Sequence, residues 1–202
     1  MQTIKQENLN LEEVVAALRA GQTIVYPTET CYGLGCDATN QSAVDRVFRI
    51  KQRQKDKTVL VVVPDESMVV EYIEWNETIE KLARRYWPGP LTIVAYARAN
   101  TGLADGVVAK NGTAAFRVVD HPIASALSAG LGKPLVSTSA NISSYESPYS
   151  FEKVADMFGG QEDQPDILID AGELLAKSVS TVARVKKGSI QILRQGVVVV
   201  EL

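Results

Sequence analysis

The chain has 202 residues, 46% of them hydrophobic and 22% charged, with 21 Lys plus Arg against 24 Asp plus Glu for a formal net charge of −3. These proportions exclude a disordered or fibrous chain, and the slight acidity excludes a dedicated nucleic-acid-packaging role, so affinity for polyanions must come from a local cationic patch. No apolar run approaches the roughly 20 residues that span a bilayer, and the polar start Met1-Gln2-Thr3-Ile4-Lys5 lacks a signal-peptide core, so a cytoplasmic protein without membrane contact is expected.

Asn10 can cap a helix whose apolar positions Leu11, Val14, Val15 and Leu18 recur at helical spacing, with Gly21 as its stop. Thr23 to Tyr26 reads as a buried strand ended by Pro27, which puts the following polar loop at the strand's carboxyl end. A helix over 42–50 leads through a basic segment into the β-branched run Thr58 to Val63. Helical patterns at 67–73 and 78–86 precede Trp87-Pro88-Gly89-Pro90, whose prolines forbid regular structure. Strands are expected at 91–96, 114–119, 135–138, 167–169, 180–185 and 190–193, with helices at 123–131 and 151–158. The irregular interleaving implies one α/β domain over 1–202: a twisted mixed sheet, parallel and antiparallel, with flanking helices.

Several familiar chemistries are missing. There is no Walker-type G-x-x-x-x-G-K-[ST], and Gly33-Leu34-Gly35-Cys36-Asp37-Ala38 fits a dinucleotide fingerprint only formally. Six residues separate it from Tyr26, so it reads better as a Gly-rich turn that lets backbone pass close to a ligand or a neighbouring strand. His121, the sole histidine, reads as a turn or helix-start residue in Asp120-His121-Pro122, and Cys31 and Cys36 as free thiols, so neither a catalytic triad nor a structural metal site is expected.

What remains points to a polyanionic small molecule. Arg49, Lys51, Arg53, Lys55 and Lys57 put five cations into nine positions, enough to neutralise a polyphosphate, and two or three of them should share a strand-end crevice with the Thr28 to Tyr32 loop. Arg117 sits inside the apolar strand Ala114-Ala115-Phe116-Arg117-Val118-Val119, where a guanidinium needs a carboxylate from protein or substrate. Ser137-Thr138-Ser139-Ala140-Asn141 leaves another strand end and offers short hydrogen-bonding groups to an oxygen-rich ligand.

Tyr26-Pro27-Thr28-Glu29-Thr30-Cys31-Tyr32-Gly33-Leu34-Gly35, Lys51-x-Arg53, Trp87-Pro88-Gly89-Pro90-Leu91-Thr92 and Ser137 to Asn141 occur together in one order. In this the chain closely resembles the YrdC/TsaC family of threonylcarbamoyl-AMP synthases, from about residue 22 to 196. The resemblance implies a YrdC-like fold with a cationic concave face and a nucleotidyltransferase activity. L-Threonine, bicarbonate and ATP would be joined into threonylcarbamoyl-AMP with release of pyrophosphate, for the threonylcarbamoyl modification of tRNA beside the anticodon. It also implies a catalytic tetrad of Lys51, Arg53, Ser139 and Asn141, threonine contacts at Thr30, Arg117, Ser137 and Ser180, and ATP contacts at Arg53, Lys57, Thr113, Ser139, Ser147 and Arg194. Mg²⁺ would accompany ATP, and TsaB, TsaD and TsaE would be the functional partners.

Three positions depart from the family pattern: Val62 where some members have His, Gln54 where Pro is usual, and Ser144 where Gly is usual. With its last residue at Leu202, the chain reads as the short, single-domain form. On this chemistry an in-line attack on phosphorus requires positioning and charge neutralisation but no enzyme nucleophile. The alternatives are a module that binds double-stranded RNA or tRNA without catalysis, and an adenylate-forming enzyme that acts on carbamoyl phosphate. Backbone binding would be indifferent to Thr30, Ser139, Asn141 and Ser180, whereas a small-molecule pocket needs such groups at fixed places.

Overall fold

The computed structural model describes residues 1–54, 57–175 and 179–201. Ten strands form one mixed sheet, β1 (Gln2–Lys5), β2 (Ile24–Pro27), β3 (Tyr32–Gly35), β4 (Leu60–Val63), β5 (Leu91–Tyr96), β6 (Thr113–Val118), β7 (Leu135–Ser139), β8 (Ile167–Asp170), β9 (Thr181–Lys186) and β10 (Ser189–Arg194). Their order across the sheet is β1-β8-β2-β3-β7-β4-β6-β5-β9-β10. The helices are α1 (Leu11–Arg19), α2 (Gln41–Ile50), α3 (Glu66–Tyr72), α4 (Glu77–Tyr86), α5 (Pro122–Leu131) and α6 (Phe151–Phe158). Asn10 caps α1 as expected, its side chain accepting from the backbone N–H of Glu12 and Glu13.

Strand alternation divides the buried side chains between the two faces of the sheet. Val61, Val63, Ile93, Phe116, Val118 and Ala183 face a core that also takes in α2, α4 and α6. On the opposite face Ile24, Tyr26, Val62 and Leu135 pack beneath α1 and α5. Those two helices cover the β8, β2, β7 and β4 part of that face, and beyond their edge the same face carries polar side chains on β6 and β9.

Two strands were not expected. The polar β1 pairs in parallel with β8 at one end of the sheet and carries no apolar pattern to reveal it. Gly33 and Gly35 lie in β3, between β2 and β7, so the Gly-rich turn is corrected to a strand. Its glycines answer close backbone approach: a Cβ on Gly35 would lie 2.1 Å from the Val136 carbonyl oxygen and 2.9 Å from the Tyr26 ring. Gly35→Ala should therefore push β3 from β7 and lower stability by at least about 3 kcal/mol. Urea unfolding measures it, and a loss below about 1 kcal/mol would mean the strands can separate cheaply.

Candidate active site

The uncovered part of the sheet floors a cleft of about 380 Å³. Its floor alternates with the core. On β6, Thr113, Ala115 and Arg117 face the cleft while Phe116 and Val118 face the core, with Ala114 in the core and also bordering the cleft. On β9, Val182 and Arg184 face the cleft while Ala183 and Val185 face the core. Among the described residues four arginines, Arg53, Arg117, Arg184 and Arg194, line the cleft, and no Asp or Glu does. That is an anion site by composition.

The expected threonine positions Thr30, Arg117, Ser137 and Ser180 all line this cleft, as do Arg53, Thr113, Ser139, Ser147 and Arg194 from the expected ATP set. Arg117 is 3% exposed. It donates from Nη1 to Thr30 Oγ1 at 3.3 Å, and its Nε lies 3.6 Å from Glu29 Oε1 in an ion pair buried on both sides. Neither Glu29 oxygen accepts a hydrogen bond. The carboxylate partner that a strand-borne guanidinium requires is thus Glu29, which stands outside the lining and leaves the cleft side of Arg117 to a ligand. His121 starts α5, as expected, and burial holds its imidazole below the usual range against the opposing pull of the Glu29 charge.

Thr28 organises the loop that presents Thr30. Its hydroxyl oxygen takes the backbone N–H groups of Thr30 and Cys31 and donates to the Cys31 carbonyl at 2.7 Å. Arg194 reaches back from β10 to donate to the Ser180 carbonyl at 2.8 Å and the Ser180 hydroxyl at 2.9 Å, and that hydroxyl meets Thr92 at 3.0 Å. Burial and then the Arg117 charge depress the Arg194 guanidinium, which marks two cations facing one space. Arg53 enters from the loop after α2, held by the Lys57 and Thr58 carbonyls at 2.8 and 2.9 Å.

The shared-crevice expectation for the basic segment is corrected: of its described members, only Arg53 lines the cleft. Arg49 turns to Asp163 at 3.3 Å, Lys57 is exposed outside the lining, and Lys55 lies outside the described residues. Lys51 and Asn141 are likewise absent from the lining. Lys51, 1% exposed, donates to the Ser139 carbonyl, to the Asn141 carbonyl at 2.7 Å and to Asn141 Oδ1 at 3.2 Å, while its own carbonyl accepts from Ser143 N at 2.8 Å. Asn141 Oδ1 also accepts from Ser139 Oγ at 2.5 Å. In this tetrad, Lys51 and Asn141 fix the turn that carries Ser139. Burial pushes the Lys51 ammonium down to about 7, with the Arg53 charge acting in the same direction.

The departures have local accounts. Ser144 takes φ 78°, the left-handed region where Gly is at ease and a side chain costs about 1 kcal/mol. Val62 pairs with Arg117 across β4 and β6 and adds only apolar packing there. Both thiols are free and buried, and burial pushes both up so that they stay protonated. Cys31→Ser, next to Thr30 and Ser147, should leave activity within about two-fold, whereas Cys36→Ser places a hydroxyl in the core and should cost about 1–3 kcal/mol of stability. Paired assay and unfolding measurements check both, and a large activity loss in folded Cys31→Ser would give that thiol a chemical role.

The Sua5/YciO/YrdC domain model, described as telomere recombination, matches residues 16–196. The chain belongs to the Sua5/YciO/YrdC family. A threonylcarbamoyl-AMP synthase of Vibrio vulnificus is 41% identical over 155 residues, 75% of this chain and 82% of the relative. One from Vibrio cholerae is 36% identical over 190 residues, 93% and 97% of the two chains. The crystal structure of P. abyssi Sua5 complexed with L-threonine superposes with a TM-score of 0.87 at 31% identity, covering 96% of this chain. This chain spans little over half, 57%, of that longer protein. E. coli YciO superposes with a TM-score of 0.82 at 28% identity over 97% and 95% of the two chains. These Sua5/YciO/YrdC structures share the mixed sheet described above.

Proposed function

We propose that the protein is a threonylcarbamoyl-AMP synthase that serves the threonylcarbamoyl modification of tRNA. The observation that carries the reading is the cleft: four arginines and buried serine and threonine hydroxyls, without one acidic group among the described residues, in a chain similar over most of its length to enzymes of that name. The threonine carboxylate is held by Arg117, whose fork is pre-set by Glu29 and Thr30, with Ser137 and Ser180 at hand for the remaining polar groups. The threonine amine takes up carbon dioxide from bicarbonate and releases a proton to solvent. An oxygen of the resulting carbamate attacks the α-phosphorus of ATP in line, and the bond to the leaving pyrophosphate breaks. Arg53 and Arg194 offset the growing charge, and Ser139, Thr113 and Ser147 orient phosphate and ribose oxygens.

Among the described residues no group of three or more His, Cys, Asp or Glu could hold a metal, and the cleft lining has no carboxylate. These residues do not fit a protein-bound Mg²⁺, which belongs to the reaction as the counter-ion of ATP itself. Transfer of the product to tRNA would fall to TsaB, TsaD and TsaE.

Mass spectrometry of a reaction containing ATP, L-threonine and bicarbonate tests the proposal, with threonylcarbamoyl-AMP and pyrophosphate in equal amounts as the expected result. Product formed from carbamoyl phosphate without threonine, or no nucleotide turnover at all, would overturn it.

A further inference from the structure

One cleft arginine was not anticipated from the sequence and has no role in the scheme above. Arg184 stands on β9 between Ala183 and Val185, whose side chains are in the core, so alternation turns it to the cleft it lines. The other three cleft arginines each have protein partners: Arg53 two backbone carbonyls, Arg117 Glu29 and Thr30, and Arg194 Ser180. Among the described residues the Arg184 side chain has none, and its Nε is fully buried without an acceptor. A buried donor left unsatisfied is costly, and among the described residues no carboxylate lines the cleft to answer it.

Strand register places this arginine. Thr92 pairs with Arg117 by extension of the β5–β6 ladder, and two residues further along β5 Val94 pairs with both Ala115 and Arg184. Arg184 is therefore displaced from the Arg117 level toward Thr113, which pairs with Tyr96 at the far end of β5. On β10 its diagonal neighbour is Arg194, which pairs with Val182. Thr113 and Arg194 are both on the nucleotide side of the proposed site, and a planar guanidinium on a rigid strand suits phosphate oxygens in a bidentate grip.

We propose that Arg184 is a further nucleotide-binding residue, holding the terminal phosphates of ATP and of the pyrophosphate that leaves. The inference rests on the synthase reading and adds to it a third arginine aimed at the leaving group, beside Arg53 and Arg194. Its test is calorimetry with a non-hydrolysable ATP analogue, pyrophosphate and AMP as separate ligands, on parent, Arg184→Gln and Arg184→Lys. Arg184→Gln should bind the analogue and pyrophosphate at least ten-fold more weakly, keep AMP within two-fold and leave the threonine KM unchanged. Arg184→Lys should fall between, because a point charge keeps attraction but loses the fork.

Arg184→Gln binding the analogue within two-fold of parent would overturn the proposal, as would equal weakening of AMP, which would put the contact at the nucleoside. Should Arg184→Gln fail to fold, Arg184→Lys decides alone: parent-like affinity for pyrophosphate overturns, and weakening confined to the analogue and pyrophosphate supports. A parent that turns over threonine and ATP while Arg184 proves indifferent sinks only this inference, whereas a parent that binds no nucleotide removes the function on which it rests.

Discussion

Arg117→Ala should raise the threonine concentration needed for half-maximal turnover by two to three orders of magnitude while leaving ATP binding nearly unchanged. A buried, charge-assisted contact to a carboxylate is worth about 2–5 kcal/mol when one partner is removed. Removing Arg117 also strands Glu29, a carboxylate with 8% of its side-chain surface exposed and no hydrogen bond, so the single variant should lose about 3–5 kcal/mol of stability as well. Combining Arg117→Met with Glu29→Gln separates the two effects. The double variant should recover most of the stability and none of the threonine affinity. Calorimetry and unfolding on both variants check this, and an equal loss of ATP and threonine affinity would show that the strand arginine serves phosphate.

Lys51→Met should cost at least a hundred-fold in turnover although Lys51 is absent from the cleft lining. The substitution preserves bulk but takes a donor from three acceptors: the Ser139 carbonyl keeps the Asn141 N–H and Asn141 Oδ1 keeps the Ser139 hydroxyl, while the Asn141 carbonyl loses Lys51 with no such second donor among the described residues. That buried orphan costs about 1–3 kcal/mol, and the turn that aims Ser139 loosens. A second signature distinguishes this lysine from a surface cation. Its folded-state pKa of about 7 lies below the ordinary 10.5, so between those values the unfolded chain holds more protons and stability rises with pH. Parent stability should therefore gain on that of Lys51→Met by about 1 kcal/mol per pH unit from pH 7 to 9. The window stops there because above it the unfolded lysine begins to lose its own proton toward the ordinary 10.5 and the difference flattens. Parallel pH dependence in the two proteins would show that Lys51 is solvated.

Where chemistry and periodicity coincide, the sequence is readable. Leu91 to Tyr96 and Phe151 to Phe158 fall where their patterns put them. Arg117 announced itself as a charge inside an apolar strand, and Ser137 and Ser139 as hydroxyls at a strand end. Arg184 carried the first of these signals more faintly, because Ala183 and Val182 are weaker apolar context than Phe116 and Val118. Lys51 could not be told from Arg53 by spacing, since the turn after α2 buries one and opens the other to the cleft. Gly33 and Gly35 misled because glycine usually marks a turn, and only a neighbouring strand, distant in sequence, reveals why a side chain is excluded. Glu29 gave no signal of its own, as its partner lies 88 residues away across the sheet.

The alternation of the cleft strands has an evolutionary consequence. Stability and ligand choice are written on opposite letters of the same words: Phe116 and Ala183 secure the fold, and their neighbours Ala115 and Val182 touch whatever occupies the cleft. A lineage can therefore redraw the floor at Leu60, Val94, Ala115 and Val182 while the facing core stays fixed, so new substrates are open to it without the destabilisation that core changes bring.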